Sequence, residues 1–510
     1  MAKTESVALI GADARLVEVE VDVVGGAIPR FTVVGLPTRP VREAEQRTLA
    51  ALASMAKDIP KLRVIANLAP GNLPKEGTHF DLAIGLGILA SLGRLPPGGL
   101  DGWVVMGELA LDGAVRAVRG VLAAAIACRA RGRRGLVCPA RNAAEARLVD
   151  GIEVVGVDAL AECVTWMRSG RRPPAPPAVA GPSARAEVGD DLCEVRGQEA
   201  AKRALEVAAA GGHNVLFTGP PGSGKTMLAR RLPTIMPEMT LEESLEVTRI
   251  HSVAGLVDGP EALSRRRPFR TPHHHVSTAG LVGGGSGYAR PGEISLAHRG
   301  ALFLDELPLY RREALESLRG PLEEGRVRIA RSAGAVTFPC RFSLVAAMNP
   351  CLCGYRDDAR RPCTCSELDL ARYRSKLSGP LLDRIDMGLR LERLGRKELL
   401  GSAGGETSRA VRQRVEAARA MQRQRYGSDE VTNASAPARS VEQAVRLSRS
   451  ATETVAACID SQALSGRGLG RVLRIARTIA DLAGAHDVAE EHVGEALLLR
   501  LADARAEVAV

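Results

Sequence analysis

The segment from Gly219 to Thr226 constrains the fold of this 510-residue chain more than any other part of its sequence. It satisfies the pattern Gly-x-x-x-x-Gly-Lys-Ser/Thr, and it lies between an apolar run typical of a buried strand, 214–218, and a run typical of a helix, 225–232. Glycines in this context let backbone N–H groups close around phosphates at the N-terminus of the helix. The segment therefore predicts an α/β domain with a phosphate-binding loop.

The loop residues have expected parts in binding ATP and Mg²⁺. Lys225 is expected to compensate the charge of the β- and γ-phosphates, and the Thr226 hydroxyl is expected to ligate Mg²⁺. The other loop residues are expected to supply backbone N–H groups to the phosphates. The predicted loop comprises Gly219, Pro220, Pro221, Gly222, Ser223, Gly224, Lys225 and Thr226.

Two later apolar strands end in polar side chains. The strand 301–305 ends in Asp305 and Glu306; Asp305 is expected to hold the Mg²⁺ shell, and Glu306 to polarise the water that attacks the γ-phosphate. The strand 342–348 is followed by Asn349, whose amide is expected to contact the γ-phosphate; a turn-forming Asn-Pro pair is the alternative. This combination indicates ATP hydrolysis.

The length predicts several domains, because a chain of this size exceeds one ordinary core. Residues 1–168 mix strand and helix patterns and predict an α/β domain, and the Pro-rich stretch 169–190 predicts a linker. Residues 191–395 predict a P-loop domain with a parallel, helix-covered sheet, and 396–510 predict a helical lid. Helices are expected in the lid at 407–426, 441–461, 471–483 and 490–502.

Composition and charge bear on location and partners. No secretory signal and no apolar run long enough for a bilayer are seen, so a cytoplasmic protein without a membrane partner is expected. The formal net charge of +10 favours polyanionic partners.

Four of the ten cysteines lie in a short segment, 351–365, which predicts a Cys-rich insertion in the P-loop domain. Two short pairs, Cys351 with Cys353 and Cys363 with Cys365, leave enough loop between them for four thiolates to surround one Zn²⁺. The four are therefore candidate ligands of a structural zinc ion. Free thiols are the alternative, and three consecutive histidines are alternative metal ligands: His273, His274 and His275.

Several longer motifs resemble those of the magnesium-chelatase-like AAA+ ATPases, in particular the ComM/YifB family, and the resemblance extends over nearly the whole chain. These motifs are Val34-Gly-Leu-Pro37, Asn67-Leu-Ala-Pro70, Pro74-Lys-Glu-Gly77, Pro272-His-His274, Pro291-Gly-Glu-Ile-Ser-Leu-Ala-His-Arg299, Asn349-Pro-Cys-Leu-Cys353 and Ser378-Gly-Pro-Leu-Leu-Asp-Arg-Ile-Asp386. The resemblance implies a homo-oligomeric ring, usually a hexamer, with ATP bound between subunits.

The resemblance also implies roles for several arginines. Arg384 looks like the arginine finger that reaches the neighbour's γ-phosphate; a helix-end arginine paired with Asp383 or Asp386 is the alternative. Arg467 is the candidate lid sensor arginine, and Arg471 is the fallback.

A predicted hairpin just before the strand 342–348 carries Arg326, Arg328 and Arg331. In related ring helicases this hairpin points into the central pore, so the three arginines are expected to contact a DNA backbone; a solvated edge hairpin is the alternative. The implied function is DNA translocation or branch migration, on a single strand or a branched junction, during homologous recombination of incoming DNA in natural transformation. The other functions considered are a magnesium chelatase-type ATPase subunit and an ATP-dependent protease or unfoldase.

Residues 1–168 resemble the Lon-protease fold, but without its catalytic pair. In Pro74-Lys-Glu-Gly-Thr-His79, His79 stands where the nucleophilic serine is found in that family, and Gly120-Val-Leu-Ala lacks the partner lysine. Thr78 is an alternative nucleophile, but its sequence surroundings show no positioned base. A domain without peptidase activity is therefore expected, acting in assembly or in contacting DNA.

Overall fold

The computed structural model of the chain describes residues 1–25, 30–55, 62–174, 190–257, 263–285, 289–331, 334–356, 358, 361–395, 398, 405–461 and 466–501. Most of the predicted linker, residues 175–189, lies outside these ranges. Within them, no helix combines the length and apolar character needed to cross a membrane.

The N-terminal unit is built on a mixed seven-stranded sheet with the order β3-β4-β2-β1-β5-β8-β9. Strands β1 and β2, and β2 and β4, pair antiparallel, whereas the remaining neighbours in the sheet pair parallel. The strands of this unit are Ala2–Ile10 (β1), Asp13–Gly25 (β2), Arg30–Val34 (β3), Leu62–Ala69 (β4), Trp103–Val105 (β5), Glu108–Leu109 (β6), Val115–Arg116 (β7), Gly135–Pro139 (β8) and Glu153–Val157 (β9).

Helices cover this sheet, and the apolar α3 is buried along nearly its whole length, as a helix without a polar face requires. The helices are Arg39–Arg42 (α1), Ala44–Met55 (α2), Asp81–Ser91 (α3), Val121–Ala130 (α4), Ala143–Ala146 (α5) and Leu160–Ser169 (α6).

The central unit contains a parallel five-stranded sheet with the order β11-β14-β17-β10-β18. Two small hairpins, β12-β13 and β15-β16, lie outside this sheet. The strands of the unit are Val215–Thr218 (β10), Phe269–Arg270 (β11), Gly283–Gly284 (β12), Arg290–Pro291 (β13), Ala301–Leu304 (β14), Arg326–Arg331 (β15), Gly334–Pro339 (β16), Ser343–Met348 (β17) and Met387–Arg390 (β18).

The helices of the central unit surround the sheet, and the longest of them, α9, has clear signals at both ends. Thr240 and Glu243 form a capping box at its start, and Gly255 ends it with a φ of 78°. The helices are Glu199–Gly211 (α7), Lys225–Ile235 (α8), Leu241–Ala254 (α9), Thr278–Val282 (α10), Glu293–Leu296 (α11), Arg312–Glu316 (α12), Arg319–Glu324 (α13), Glu367–Arg374 (α14) and Gly379–Leu382 (α15).

The C-terminal unit is helical, and one of its predicted helices is wrong. The expected helix 441–461 is two helices, because Val445 leaves the helical conformation, Leu447 pairs with Val488 in a β-bridge, and the Ser448 side chain caps a new helix. The helices are Ser408–Tyr426 (α16), Ala438–Ala444 (α17), Arg449–Asp460 (α18), Gly466–Leu482 (α19) and Glu490–Leu501 (α20). The predicted fold class is confirmed: an α/β unit, a P-loop unit with a parallel sheet, and a helical lid.

The lid packs directly on the P-loop unit. Helix α16 contacts α7 and α8, and its polar side chains satisfy carbonyl groups at the end of α7: Arg419 donates to the carbonyl of Ala209 at 2.9 Å, and Gln422 to that of Ala210 at 3.0 Å. These side chains satisfy carbonyls that the end of a helix leaves unpaired. The lid and the nucleotide-binding loop are therefore connected through α7 and α8.

The N-terminal unit also contacts the central unit, through α4 and the β1-β2 turn. The N–H group of Gly120 donates to the carbonyl of Ser252 at 3.1 Å, and Arg249 pairs with Asp13 at 3.0 Å. At Gly11 a Cβ atom would lie 2.2 Å from a methyl group of Val336, so the turn lies directly against the β15-β16 hairpin. Only glycine fits at this contact.

Candidate active site

The carboxyl ends of three neighbouring parallel strands bring the predicted catalytic residues together. Strand β17 lies between β10 and β14, so Asn349, which follows β17, stands between the loop after β10 and the carboxylates after β14. Crevices at the carboxyl ends of parallel strands are where α/β sheets bind ligands.

The phosphate-binding loop depends on its glycines for two different reasons. Gly222 and Gly224 have φ angles of 77° and 90°, a left-handed conformation that side chains disfavour, and a Cβ atom on either would meet no atom within 4 Å. Gly219 instead lacks room, because its Cβ atom would lie 2.6 Å from the carbonyl oxygen of Leu391. The loop is therefore tightly packed at Gly219, and it has free space around Gly222 and Gly224, where phosphate is expected to bind.

Lys225 is the most constrained polar side chain of the site. Its ammonium group donates to the carbonyl groups of Gly219 at 2.6 Å and Pro220 at 3.0 Å, and to the side-chain oxygen of Asn349 at 3.1 Å. Burial lowers the pKa of Lys225 to about 8, although Asp305 and Glu306 act in the opposite direction. A buried cation in the first turn of a helix, beside an open glycine loop, fits a phosphate ligand.

The predicted Mg²⁺ residues lie side by side. The Thr226 hydroxyl donates to the Asp305 carboxylate at 3.0 Å, which joins the first turn of α8 to the end of β14. A hydroxyl and a carboxylate are hard oxygen ligands of the kind that Mg²⁺ prefers. These residues, the open glycine loop and Lys225 together fit a nucleotide with its magnesium ion.

Glu306 has an unusual backbone, with φ at 52° and ψ at 48°. Its carboxylate lies 3.5 Å from the Nδ1 atom of His274, and the Tyr310 hydroxyl donates to the carbonyl of Pro272 on the same histidine-bearing loop. From the sequence alone, the three histidines are only alternative metal ligands. The structure brings His274 to the predicted catalytic carboxylate.

Sequence reasoning also missed two side chains that hold the loops of the site. The Gln198 amide donates to the carbonyl of Ser223 at 3.2 Å and to that of Glu392 at 2.7 Å. The Tyr373 hydroxyl donates to the carbonyl of Asn349 at 3.2 Å. Both contacts join segments far apart in sequence, so no local pattern identifies them.

The four clustered cysteines converge. Their sulfur atoms all lie within 4.8 Å of one another, with Cys351 and Cys353 at 3.3 Å and Cys353 and Cys363 at 3.5 Å. Four thiolates around a tetrahedral zinc ion, with Zn–S bonds near 2.3 Å, have sulfur atoms about 3.8 Å apart. The backbone N–H group of Cys353 also donates to the sulfur of Cys365. The donor set therefore fits zinc.

The cysteine loop packs against the phosphate-binding loop. Gly354 has a φ of 83°, and a Cβ atom there would lie 2.9 Å from the ring of Pro221. Cys351 itself follows Asn349 by two residues. A metal bound by this loop would therefore hold both Asn349 and the phosphate-binding loop in place.

Arg384 and Arg467 lie away from their own phosphate-binding loop. Both line a cavity of about 1010 Å³ between the P-loop unit and the lid, and of the described residues none from 219–226 lines it. Arg384 pairs with Glu323 and donates to the carbonyl of Pro380 at 3.1 Å. Arg467 is 80% exposed and lies 3.6 Å from Asp383.

The fallback arginine lines the same cavity but is less free to move. Arg471 is only 16% exposed, donates to the carbonyl of Ile385 and lies 3.9 Å from Asp386. In all, nine arginines and eight acidic residues line the cavity, so its charges nearly balance.

The β15-β16 hairpin has two different faces. Val327 and Ile329 are buried in the hydrophobic core of the central unit, whereas Arg326 and Arg328 alternate with them and are exposed. Arg331, at the end of β15, is exposed as well. Arg326 and Arg328 therefore share the exposed face of the hairpin.

In the N-terminal unit His79 is 4% exposed, and its Nε2 atom donates to the carbonyl of Val7 at 2.7 Å. The structure gives Thr78 a partner that its local sequence does not indicate: its hydroxyl donates to the carboxylate of Glu108, thirty residues away. Glu108 also faces Arg116 at 3.6 Å. A carboxylate is a far weaker base than the alkoxide it would have to generate, so this contact does not by itself make Thr78 a nucleophile.

Comparisons with known proteins agree with this architecture. The family described as magnesium chelatase, subunit ChlI, matches residues 191–399. The families described as subunit ChlI of Mg-chelatase and as magnesium chelatase, subunit ChlI C-terminal, match 19–142 and 405–500.

Several full-length relatives cover almost the whole chain. The uncharacterized protein Rv2897c of Mycobacterium tuberculosis is 44% identical over 505 residues, 98% of either chain. Competence protein ComM of Haemophilus influenzae is 40% identical over 496 residues, 96% of this chain and 95% of the relative. YifB of Escherichia coli is 39% identical over 498 residues, 97% of this chain and 96% of the relative. The chain therefore belongs to the ComM/YifB family of magnesium-chelatase-like AAA+ ATPases.

Proposed function

We propose that this ATPase forms a ring of six subunits that uses ATP hydrolysis to move along DNA and to migrate branched junctions during recombination of incoming DNA. One observation carries the proposal. The β15-β16 hairpin holds Arg326 and Arg328 on an exposed face while Val327 and Ile329 anchor it in the ATPase core. A basic hairpin anchored in this way couples the nucleotide site to a polyanion. The 40% identity to a competence protein supports the same process.

In the proposed hydrolysis cycle, the loop 219–226 holds the phosphates of ATP, and Lys225 neutralises their charge. Thr226 and Asp305 would hold the Mg²⁺ ion, which would withdraw charge from the γ-phosphate. Glu306 orients and polarises the attacking water. Asn349 positions Lys225 through a hydrogen bond and contacts the γ-phosphate. The contacts between Thr226 and Asp305, and between Lys225 and Asn349, support this assignment.

Arg384 and Arg467 are proposed to act on the nucleotide of a neighbouring subunit. Both line a cavity to which their own phosphate-binding loop does not contribute, among the residues described. Glu323 pairs with Arg384 in the isolated chain and would be displaced by the neighbour's γ-phosphate. A trans-acting arginine makes hydrolysis depend on assembly, with an effect of roughly a thousandfold or more on rate.

Arg326, Arg328 and Arg331 are proposed to track the backbone of a single strand or of a branched junction. Such contacts add affinity without reading sequence, and they weaken as the salt concentration rises. Arg326 is 68% exposed and pairs with Glu324 at 3.3 Å, an exposed pair that stabilises little and is easily exchanged for phosphate.

The proposal is tested by ATP hydrolysis with and without DNA, and by movement of a fluorescently labelled three- or four-way junction. Wild-type protein is expected to hydrolyse ATP faster with DNA and to resolve the junction. The double variant Arg326→Glu, Arg328→Glu is expected to lose the DNA response. Lys225→Ala, which removes nucleotide binding, controls for contaminating ATPases. A wild-type protein that ignores DNA in both assays would refute the motor.

A chelatase motor is the second candidate, because all three matching families carry magnesium chelatase names. In this role hydrolysis would drive insertion of Mg²⁺ into a porphyrin by a partner subunit. Stimulation of the ATPase by that partner and porphyrin, with indifference to DNA, would favour it over the DNA motor.

The cysteine cluster is proposed to hold one structural zinc ion through Cys351, Cys353, Cys363 and Cys365. The convergence of the four sulfur atoms supports this. The N-terminal unit is proposed to have no peptidase activity, which the buried, hydrogen-bonded His79 supports. Degradation of casein by the purified protein, abolished by Thr78→Ala, would contradict that assignment.

A further inference from the structure

Three arginines from three separate elements converge beside the β15-β16 hairpin. Arg290 begins β13, Arg331 ends β15, and Arg119 precedes helix α4 of the N-terminal unit. All three side chains are exposed. Only Arg331 belongs to the hairpin proposed above to contact DNA.

The two central-unit arginines meet at Gly284. Arg290 pairs with Gly284 across the β12-β13 hairpin. A Cβ atom placed on Gly284 would lie 3.0 Å from the Nη2 atom of Arg331, so this guanidinium lies directly over the glycine. The close approach joins the β12-β13 hairpin to the tip of β15.

The N-terminal unit brings the third arginine to the same place. The Arg119 side chain lies against Gly255: a Cβ atom placed on Gly255 would be 2.9 Å from the Nε atom of Arg119. The N–H group of the next residue, Gly120, donates to the carbonyl of Ser252. Helix α9, which Gly255 ends, also packs against β13, the strand that carries Arg290. Partial burial lowers the pKa of Arg119, and repulsion from the nearby Arg290 lowers it further.

Like charges gathered at a surface favour an anionic ligand. Within the parts of the chain that the structure describes, no carboxylate forms an ion pair with Arg119, Arg290 or Arg331. Elsewhere in the chain exposed arginines commonly face an acid, as Arg39 faces Glu43 and Arg449 faces Glu453. This cluster therefore keeps its positive charge available.

We propose that Arg119, Arg290 and Arg331 form one binding patch for the phosphodiester backbone of single-stranded DNA, and that the N-terminal unit takes part in holding DNA through Arg119. This rests on the proposed DNA function and adds two residues and a second domain to it. Guanidinium groups suit the patch because they bind phosphate oxygens in pairs. A strand that leaves the β15-β16 hairpin at Arg331 meets Arg290 and Arg119 next.

The test measures binding of a fluorescently labelled 30-nucleotide single strand to the full-length protein by anisotropy, across a salt series. Arg119→Glu and Arg290→Glu are each expected to weaken DNA binding by about tenfold. Each lost phosphate contact is also expected to reduce the slope of log association constant against log salt concentration by about 0.7. Arg119→Gln, which keeps a polar side chain of similar reach, is expected to weaken binding by about threefold and guards against misfolding of the reversed variant.

Arg131→Glu is the matched control, because Arg131 is an exposed arginine at the other end of the same helix α4, about 15 Å away. It is expected to bind DNA like wild type. Normal binding by Arg119→Glu and Arg290→Glu, while Arg326→Glu weakens it, would overturn the inference and leave the DNA motor standing. A wild-type protein that binds no DNA would instead overturn the motor itself. Tighter binding of an RNA strand of the same sequence would assign the patch to RNA and overturn the inference.

Discussion

At the residue scale, Glu306 holds a backbone conformation that its side chain disfavours. A non-glycine residue in the left-handed region costs roughly 1–2 kcal/mol. The conformation is maintained by hydrogen bonds on both sides: its N–H group donates to the Asp305 carboxylate at 2.9 Å, and its carbonyl accepts from Leu309 at 2.8 Å. Strain of this kind is retained where it aims a side chain at a reaction. Here it directs the carboxylate toward His274.

The first prediction concerns His274. We expect His274→Ala to lower kcat for ATP hydrolysis by about tenfold with little change in KM, because the proposed general base loses the group that orients it. His274→Asn retains a hydrogen-bond donor and is expected to recover part of the rate. Steady-state ATPase assays give both constants. His275→Ala, in the exposed neighbour, is the control, and a change confined to KM would show that His274 acts on nucleotide binding instead.

His79 offers a second test at this scale, because its neutral ring is part of the folded structure. Burial lowers the pKa of His79 to about 4, and the hydrogen bond to Val7 offsets this only in part. The unfolded chain, with an ordinary histidine pKa near 6.5, therefore binds the proton more readily. Stability that is present above pH 6.5 is lost progressively as the pH falls toward 4.

We predict that the N-terminal unit loses up to about 3 kcal/mol of unfolding free energy between pH 6.5 and pH 4 through His79, and that His79→Gln removes most of this dependence. Both tryptophans of the chain, Trp103 and Trp166, are buried in this unit, so tryptophan fluorescence during urea unfolding follows it selectively. An equally steep pH dependence in His79→Gln would mean that other groups cause the acid sensitivity.

How much of the site the sequence predicts depends on the distance between partners along the chain. The phosphate-binding loop is one continuous segment, and its pattern follows from phosphate chemistry. The positions of the two carboxylates and Asn349 at strand ends follow from the apolar strands that precede them, whereas their catalytic roles stay predictions. The partners of these residues, such as Glu323 for Arg384 and His274 for Glu306, are set by tertiary packing. No local pattern encodes them.

At the element scale, the lid shows where periodicity fails. The run 441–461 has helical spacing throughout, but Ser448 accepts a hydrogen bond from the N–H group of Ala451 and begins a new helix. Leu447 is drawn into a β-bridge with Val488, in the loop before α20. A serine followed by three helix-compatible residues is a weak signal on its own, and the long-range bridge decides the outcome.

The cysteine loop is the element whose integrity should matter most to the active site, because it packs on Pro221 and follows Asn349. We predict about one zinc ion per chain in protein purified under reducing conditions. Cys363→Ser is expected to lower the zinc content and, through the displaced loop, the ATPase rate. Elemental analysis and ATPase assays measure the two effects.

Cys458→Ser is the control for this prediction, since Cys458 lies on helix α18, outside the cluster. It should retain both zinc and activity. Wild-type protein without zinc, or Cys363→Ser that loses zinc but keeps full ATPase activity, would show that the loop does not support the nucleotide site through a metal.

At the scale of the whole molecule, the proposed ATPase site consists of two parts that lie apart in one chain. One face carries the phosphate-binding loop with Lys225 and Asp305, and the cavity beneath the lid carries Arg384 and Arg467. A single chain contains both parts, but its Arg384 does not lie beside its own phosphate-binding loop. If two chains associate head to tail, the two parts meet at each interface, and such contacts form a ring when the rotation between neighbours closes.

Mixing two inactive variants tests this arrangement. Lys225→Ala lacks a working nucleotide site but retains Arg384, whereas Arg384→Ala retains the site but lacks the finger; each alone should be inactive. In a random mixture, about a quarter of the interfaces join an intact site to an intact finger, so we predict that mixing restores ATPase activity. Mixing Lys225→Ala with Glu306→Gln should restore none, because every nucleotide site is then defective. If the first mixture also stays inactive after subunit exchange is verified, Arg384 does not act on a neighbour's nucleotide.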